Sequence, residues 1–211
     1  MLKITNIGHA CFLLETEDFS FVIDPYKPDS VPGLDMPRLT VDKALASHDH
    51  HDHNAIELVN LSGKDVHIDY EIVIVPHDHH NGEHRGLNKM HIFNIDGYRI
   101  IHTGDLGCIP NEEVLNKMKN CDILFAPING YYTISAQELF KICSIIKPRL
   151  VIPMHYEIKE KGIGYPDGGQ IDKFKSLIGD YKEVDEDYVI VDKKLFDKPA
   201  LIFKKARGER K

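Results

Sequence analysis

The stretch Ser47-His-Asp-His-His-Asp-His concentrates four imidazoles and two carboxylates in seven consecutive positions. Within it, one register of the form His-x-His-x-Asp-His contains His48, His50, Asp52 and His53. Imidazole and carboxylate are ligands of borderline divalent metal ions, whereas the packing of an apolar core does not require them. The stretch therefore indicates a metal site and a fold that brings further ligands to it.

The spacing within this stretch suits two ions. Residues two apart in an extended strand end project to the same side, so His48 and His50 can bind one ion. Asp52 and His53 are adjacent and diverge as the chain turns, which allows them to serve a second ion nearby. Two ions require about seven ligands, and this stretch supplies four of them.

Three later segments place a candidate ligand directly after an apolar, strand-like run. These are Val75-Pro-His77, Ile101-His-Thr-Gly-Asp105 and Ile152-Pro-Met-His155. A sheet delivers the residues that follow its strands to one rim, so we expect the three side chains to meet there. Gly104 and Gly107 are expected to let the backbone approach an ion, and His79 remains an alternative to His77.

The pattern of apolar residues predicts an α/β fold. An opening meander and alternating strands and helices on both sides of the middle favour two sheets covered by helices, a four-layer αββα sandwich. The predicted strands are 2–7, 11–15, 19–23, 43–46, 71–75 (buried), 91–95, 98–102, 123–126, 150–152, 188–191 and 200–203. The predicted helices are 54–61, 111–119, 136–146 and 171–178.

Composition is that of an ordinary globular protein, and we expect a single domain over residues 1–211. Hydrophobic residues make up 42% and charged residues 28% of the chain. No window resembles a membrane span or a signal peptide, so a cytoplasmic protein is expected. The net charge of -7 disfavours a nucleic-acid partner. The one basic cluster, residues 204–211, is interpreted as a frayed, solvated tail.

These motifs together resemble the metallo-β-lactamase superfamily. Within it, the chain is similar to the metal-dependent hydrolase branch that includes ascorbate-6-phosphate lactonase-like proteins. The resemblance also rests on five flanking segments, which are Gly8-His-Ala, Ile23-Asp-Pro, Arg85-Gly-Leu-Asn, Gly104-Asp-Leu-Gly and Pro153-Met-His-Tyr. It covers nearly the whole chain and implies the αββα fold of the superfamily.

The resemblance also implies a role for each candidate ligand. It assigns His48, His50 and His77 to a first metal ion, and Asp52, His53 and His155 to a second, with Asp105 bridging both. Asp24 would support the site from behind the ligands. Zinc is the first choice for both divalent ions, and manganese and iron are alternatives.

The implied reaction is hydrolysis of an ester, lactone or phosphodiester bond in a small molecule, with an anionic substrate as one option. Two cations generate a hydroxide nucleophile from water, which Asp52 and Asp105 would orient. Candidates for substrate contact are Arg85, Asn88 and His9, together with Tyr156. For His9 and Tyr156, a supporting or packing role is the favoured alternative. Arg85 can hold an anionic group, or it can instead pair with a neighbouring carboxylate such as Glu83.

Other functions remain open at this stage. A nuclease resembling the tRNA 3′-processing enzymes uses the same fold, and a non-catalytic metal-binding or sensory protein would need the same ligands. A redox di-iron role is disfavoured, because flavodiiron proteins replace the second His of the motif and His50 is intact. The expected partner is a small molecule, and a homo-oligomer is compatible with the sequence.

Overall fold

Two five-stranded β-sheets form the centre of the structure, a computed structural model that describes residues 1–80 and 82–210. Within these ranges the α-helices are α1 (Glu112–Met118), α2 (Ala136–Ile146) and α3 (Gln170–Ile178). The β-strands are β1 (Lys3–Gly8), β2 (Cys11–Glu15), β3 (Ser20–Ile23), β4 (Thr40–Val41), β5 (Lys43–Leu45), β6 (Asn60–Leu61), β7 (Tyr70–Pro76), β8 (Leu87–Ile95), β9 (Tyr98–His102), β10 (Ile123–Pro127), β11 (Leu150–Met154), β12 (Lys182–Val184), β13 (Tyr188–Ile190) and β14 (Leu201–Phe203).

The first sheet has the strand order β13-β1-β2-β3-β5. Its strands β1, β2 and β3 form the predicted antiparallel meander. Pairing sets Leu14 opposite both Ile4 and Phe21, so these three side chains line one face of the sheet. Strands β3 and β5 are parallel. The residues that follow them, Asp24 and Ser47, therefore lie at the same edge.

The second sheet has the order β11-β10-β9-β8-β7. Strands β7, β8 and β9 are antiparallel, whereas β9, β10 and β11 are parallel. The predicted β8–β9 hairpin is confirmed, with φ of 50° at Asp96 and 79° at Gly97. Positive φ at both turn residues is the geometry that Asp-Gly hairpins favour. The parallel strands end at one rim, where the segments containing Asp105 and His155 begin.

Aromatic side chains from both sheets hold the sheets face to face. The ring centroids of Phe12 and Phe125 are 4.4 Å apart, and those of Phe21 and Phe93 are 4.9 Å apart. All four residues are at most 2% exposed. Burial of each ring contributes about 1.5–3 kcal/mol relative to leaving it in water. This shared core fixes the edges of the two sheets relative to each other.

The outer layers differ between the two sheets. Leu115 of α1, Leu139 of α2 and Phe174 of α3 pack in one cluster with the outward face of the second sheet. The outward face of the first sheet is covered by loop residues that include Tyr26 and Leu34, and no α-helix within residues 1–80 or 82–210 packs there. The mixed α/β fold class is confirmed, with loops forming the fourth layer. No helix in the described ranges has the length and apolar composition that a membrane span requires.

The predicted helix over residues 54–61 is wrong. The structure has a 3-10 turn at Ile56–Leu58, followed by strand β6. The turn has no side-chain cap, and the backbone N–H of Asn60 donates to the carbonyl of Leu39, as a strand does. Neighbouring tertiary pairing therefore outweighs the weak helical preference of this segment.

Two other predictions need correction. Strand β7 is an edge strand with Ile72 and Ile74 exposed, and it is not the buried strand that was expected. The tail is ordered, because the backbone N–H groups of Arg207 and Gly208 donate to the carbonyls of Asn6 and Ile7. Residue 211 lies outside the described residues.

Candidate metal centre

The motif at 47–53 is a compact turn between β5 and the following loop. The backbone N–H of His53 donates to the carbonyl of His50 at 2.9 Å, which reverses the chain within the motif. The ring nitrogens His48 Nε2 and His50 Nδ1 lie 3.1 Å apart. The two histidines therefore face the same point, as the strand-like spacing predicted.

The first group of donor atoms comprises His48, His50 and His77, whose ring nitrogens all lie within 4.8 Å of one another. His77 directly follows β7, and its side chain is fully buried. His79, the alternative to His77, points elsewhere: it is 40% exposed and its Nδ1 lies 3.6 Å from Glu138. The structure therefore brings His77 to this group and leaves His79 outside it.

The second group comprises Asp52, His53 and His155, joined by His9 from the β1–β2 turn. Ligand atoms of these four residues also lie within 4.8 Å of one another. Asp105 lies between the two groups: its Oδ2 is 3.1 Å from His77 Nε2 and 3.5 Å from His155 Nε2, and its Oδ1 is 3.3 Å from His53 Nε2. One carboxylate therefore reaches both groups.

The buried polar atoms of this cluster fit divalent metal ions. Among the described residues, His53 Nε2 and Asp105 Oδ1 are buried and have no hydrogen-bond partner. A buried polar atom without a partner costs about 1–3 kcal/mol, and such atoms are rare in native proteins. Nitrogen and oxygen donors of this kind match the preferences of zinc, manganese and iron. A bound cation would satisfy both atoms.

Burial and mutual charge set the protonation of the imidazoles. Burial lowers the pKa of His48 to about 3, so this ring is neutral and has a free lone pair at neutral pH. Burial also tends to lower the pKa of His53. The carboxylates of Asp105 and Asp24 outweigh this effect and raise the pKa of His53 well above its ordinary value. The raised pKa favours the protonated form of His53, and metal binding at Nε2 would displace that proton.

Asp24 holds the motif at 47–53 in place through contacts with Ser47 and His53. Its Oδ1 accepts the backbone N–H of Ser47 at 2.6 Å, and its Oδ2 accepts the Ser47 hydroxyl at 2.7 Å. The same Oδ2 lies 2.9 Å from His53 Nδ1. This contact keeps the proton on Nδ1 and turns Nε2 toward the donor cluster. Although burial opposes ionisation, the neighbouring His53 holds the pKa of Asp24 below its ordinary value.

Asn88 holds Asp105 in place and does not line the cleft beside the cluster. The Asn88 side chain accepts the backbone N–H of Asp105 at 3.1 Å and donates to the carbonyl of Thr103 at 2.7 Å. Asn88 is also fully buried. The expectation that Asn88 contacts substrate is therefore wrong, because both ends of its amide are engaged with the backbone.

The two glycines near Asp105 serve chain packing. A Cβ at Gly104 would lie 2.1 Å from Asn88 Oδ1, and one at Gly107 would lie 2.0 Å from the backbone N of Asp78. Glycine is required at position 104 because Asn88 and Ser47 lie against it, and at position 107 because the backbone of His77 and Asp78 does. That these glycines let the backbone approach an ion stays a prediction.

A cleft of about 510 Å³ opens beside the second group. Its walls include Asp52, Arg85, Tyr132, His155 and Tyr165. The Arg85 guanidinium lies over the Tyr132 ring, 4.6 Å from its centroid, and Arg85 Nε is buried without a partner among the described residues. The stacking favours a charged group presented to the cleft over the alternative pairing with Glu83.

Sequence reasoning missed Asp78, Tyr132 and Tyr165. The Asp78 carboxylate accepts backbone N–H groups from four residues of the loop that carries Arg85, which are His80, Gly82, His84 and Arg85. An aspartate followed by Gly, Asn and His is a turn signal that could have been recognised. The tyrosines carry no local signal. Tyr156 is partly buried and donates to the carbonyl of Phe203 at 3.4 Å, and it does not line the cleft.

Two facing sheets with a His/Asp cluster at their common edge define the class of metal-dependent hydrolases with the metallo-β-lactamase fold. Residues 3–155 match the family described as the Beta-lactamase superfamily domain, and the chain belongs to that family.

Several relatives are similar over most of the chain. A UPF0173 metal-dependent hydrolase from Thermococcus kodakarensis is 29% identical, over 87% of this chain and 95% of its own. Another from Carboxydothermus hydrogenoformans is 27% identical, over 74% and 84%. A crystal structure from Thermotoga maritima, assigned to the Zn-dependent hydrolases of the metallo-β-lactamase superfamily, gives a TM-score of 0.72 at 25% identity, over 96% of this chain and 98% of that one. The finer likeness to ascorbate-6-phosphate lactonase-like proteins stays a prediction.

Proposed function

We propose that this chain is a dinuclear metal-dependent hydrolase that cleaves an ester, lactone or phosphodiester bond in a small, anionic substrate. The ions are divalent, with zinc as the first candidate. Their proposed ligands are His48, His50 and His77 for one ion, and Asp52, His53 and His155 for the other, with Asp105 shared. The observation that carries the proposal is the Asp105 carboxylate, whose Oδ2 lies 3.1 Å from His77 Nε2 and 3.5 Å from His155 Nε2.

The ions explain why so many polar groups are gathered here. When bound, two such cations supply Lewis acidity, which favours deprotonation of an attacking water and stabilises negative charge on a carbonyl or phosphoryl oxygen. Asp52 lines the cleft, and its contact with His9 holds its pKa below the ordinary value although burial acts in the opposite direction. As an ionised carboxylate it can only accept a hydrogen bond, so it orients an attacking water.

Substrate size and charge follow from the cleft. A volume of about 510 Å³ lies in the range of small-molecule sites. Arg85, stacked on Tyr132, is placed to hold a carboxylate or phosphate group while the scissile bond lies over Asp52. The acidic residues Asp29 and Asp49 also line the cleft, which disfavours a polyanionic nucleic acid strand.

The test is turnover by the metal-loaded protein. Wild type should hydrolyse at least one class among p-nitrophenyl esters, lactones and bis-p-nitrophenyl phosphate, and the double variant Asp52→Ala/His53→Ala should lose this activity. His67→Ala is the control, because His67 is exposed, lies in neither donor group and does not line the cleft. Unchanged turnover in the double variant, or release of nucleotides from RNA with no small-molecule hydrolysis, would contradict the proposal.

A further inference from the structure

His9 lies among the predicted metal ligands, although it is not part of the His-x-His-x-Asp-His motif. It lies in the tight turn between β1 and β2, on the sheet opposite His155. Its ring centroid is 3.9 Å from that of His155 and 5.2 Å from that of His53. A ring nitrogen of His9 lies within 4.8 Å of ligand atoms of Asp52, His53 and His155.

The hydrogen bonding of the His9 ring is incomplete. Its side chain is fully buried, and both of its ring nitrogens lack a hydrogen-bond partner among the described residues. The contact to Asp52 Oδ2, 3.3 Å from Nε2, does not have hydrogen-bond geometry. A buried imidazole with two unpaired nitrogens is costly, and coordination to a cation would satisfy one of them.

The backbone holds His9 in this orientation. His9 has a φ of 59° and His155 a φ of 54°, both in the left-handed region that side-chain-bearing residues seldom adopt. The backbone N–H of His155 donates to the carbonyl of His9 at 3.2 Å, which ties the two turns together. Each strained turn thus presents an imidazole to the same point. Strain of this kind persists only where surrounding contacts enforce it.

We propose that His9 is a direct ligand of the second metal ion, together with Asp52, His53 and His155. This inference rests on the two-ion function proposed above. It gives the second site three imidazoles and a carboxylate before the shared Asp105 is counted. Loss of a direct ligand is expected to weaken binding of that ion by about 100-fold or more, beyond the range seen for supporting residues.

The experiment measures metal content and affinity of the full chain. The variants are His9→Asn, which tolerates the left-handed backbone, and His9→Gln, whose longer amide can donate a hydrogen bond toward Asp52 but replaces the imidazole. The control is His51→Gln. Zinc stoichiometry is measured by elemental analysis, and affinity by chelator competition. We expect two ions in wild type and control, and in both His9 variants one ion kept at wild-type affinity with the second weakened. Retention of the first ion shows that the variants are folded.

Three results would overturn the assignment. Wild-type affinity for two ions in both variants removes His9 from the ligand set and leaves the two-ion function standing. Wild-type affinity in His9→Gln alone reduces His9 to a residue that positions Asp52. A single ion in wild type overturns both proposals. An anomalous diffraction map of zinc-soaked wild type gives a test without variants, since the second ion must lie about 2.0–2.1 Å from a His9 nitrogen.

Discussion

Replacing Asp24 by Asn tests whether a residue that holds the proposed ligands in place, without binding metal itself, controls metal affinity. The substitution keeps the size of the side chain and tolerates the φ of 54° at this position, so it changes hydrogen bonding and charge alone. Asp24 now accepts from three donors, which are the backbone N–H of Ser47, the Ser47 hydroxyl and the Nδ1–H of His53.

An asparagine has only one side-chain oxygen, so it cannot accept hydrogen bonds at both positions where the Asp24 carboxylate does. If its NH2 group faces His53, the ring must move its proton to Nε2, which removes the lone pair aimed at the donor cluster. If its NH2 group faces the backbone of Ser47, two donors oppose each other in a buried site. A hydrogen bond to a charged group contributes about 1.5–3 kcal/mol, which corresponds to about a 10- to 100-fold loss of affinity.

The assay is zinc affinity, measured by competition with a chromogenic chelator. The control is Asp49→Asn, the same chemical change at an exposed position of the same stretch. We expect Asp24→Asn to raise the Kd for the weaker-bound ion by about 10- to 100-fold and Asp49→Asn to leave it unchanged. A Kd for Asp24→Asn within about twofold of the control, in a folded protein, would refute the reasoning.

Three further outcomes are expected. Arg85→Gln should lower kcat/KM for anionic esters by about 10- to 100-fold and leave neutral esters unaffected; equal losses on both would contradict the anion-binding role. Zinc binding at pH 7 should release about one proton, because the pKa of His53 is raised and its imidazolium must deprotonate. Calorimetry in buffers of different ionisation enthalpy measures the number of protons released, and a value of zero would contradict this prediction. Gly107→Ala should cost about 1–3 kcal/mol, seen as a lower Tm, since its Cβ would lie 2.0 Å from the Asp78 backbone N; an unchanged Tm would refute the close packing.

The elements that sequence reasoning predicted well are those with a strong local pattern. Helix α2 was expected over 136–146 and is found at Ala136–Ile146, because Ser135 and Glu138 form a capping box and its apolar residues repeat with helical spacing. The hairpin at Asp96-Gly97 is similarly specified by two residues. The segment over 54–61 failed because its conformation depends on pairing with residues 39–41, which no local pattern reveals.

The residues of the candidate site show the same distinction between local patterns and tertiary contacts. His77, Asp105 and His155 could be proposed because each lies within three residues of the end of an apolar strand. His9 and Asn88 were assigned to substrate contact, because the local sequence does not show whether a single His or Asn faces the cleft or the cluster. Asn88 lies in β8 and is placed by the neighbouring end of β9 in the same sheet. The place of His9 is set by the approach of the two sheets, which brings residues more than 90 positions apart into contact, as the hydrogen bond from His102 to the carbonyl of Ala10 illustrates.

The donor cluster spans both sheets, and this has a consequence for the stability of the native state. His48 and His53 follow a strand of the first sheet, whereas His77, Asp105 and His155 follow strands of the second. The complete set of donors exists only when the sheets are docked, so an ion held by both sheets requires the native arrangement. An ion that binds the native state and not the unfolded chain shifts the folding equilibrium toward the native state. Metal at this edge would therefore link the two sheets and raise the free energy of unfolding as the concentration of free metal rises.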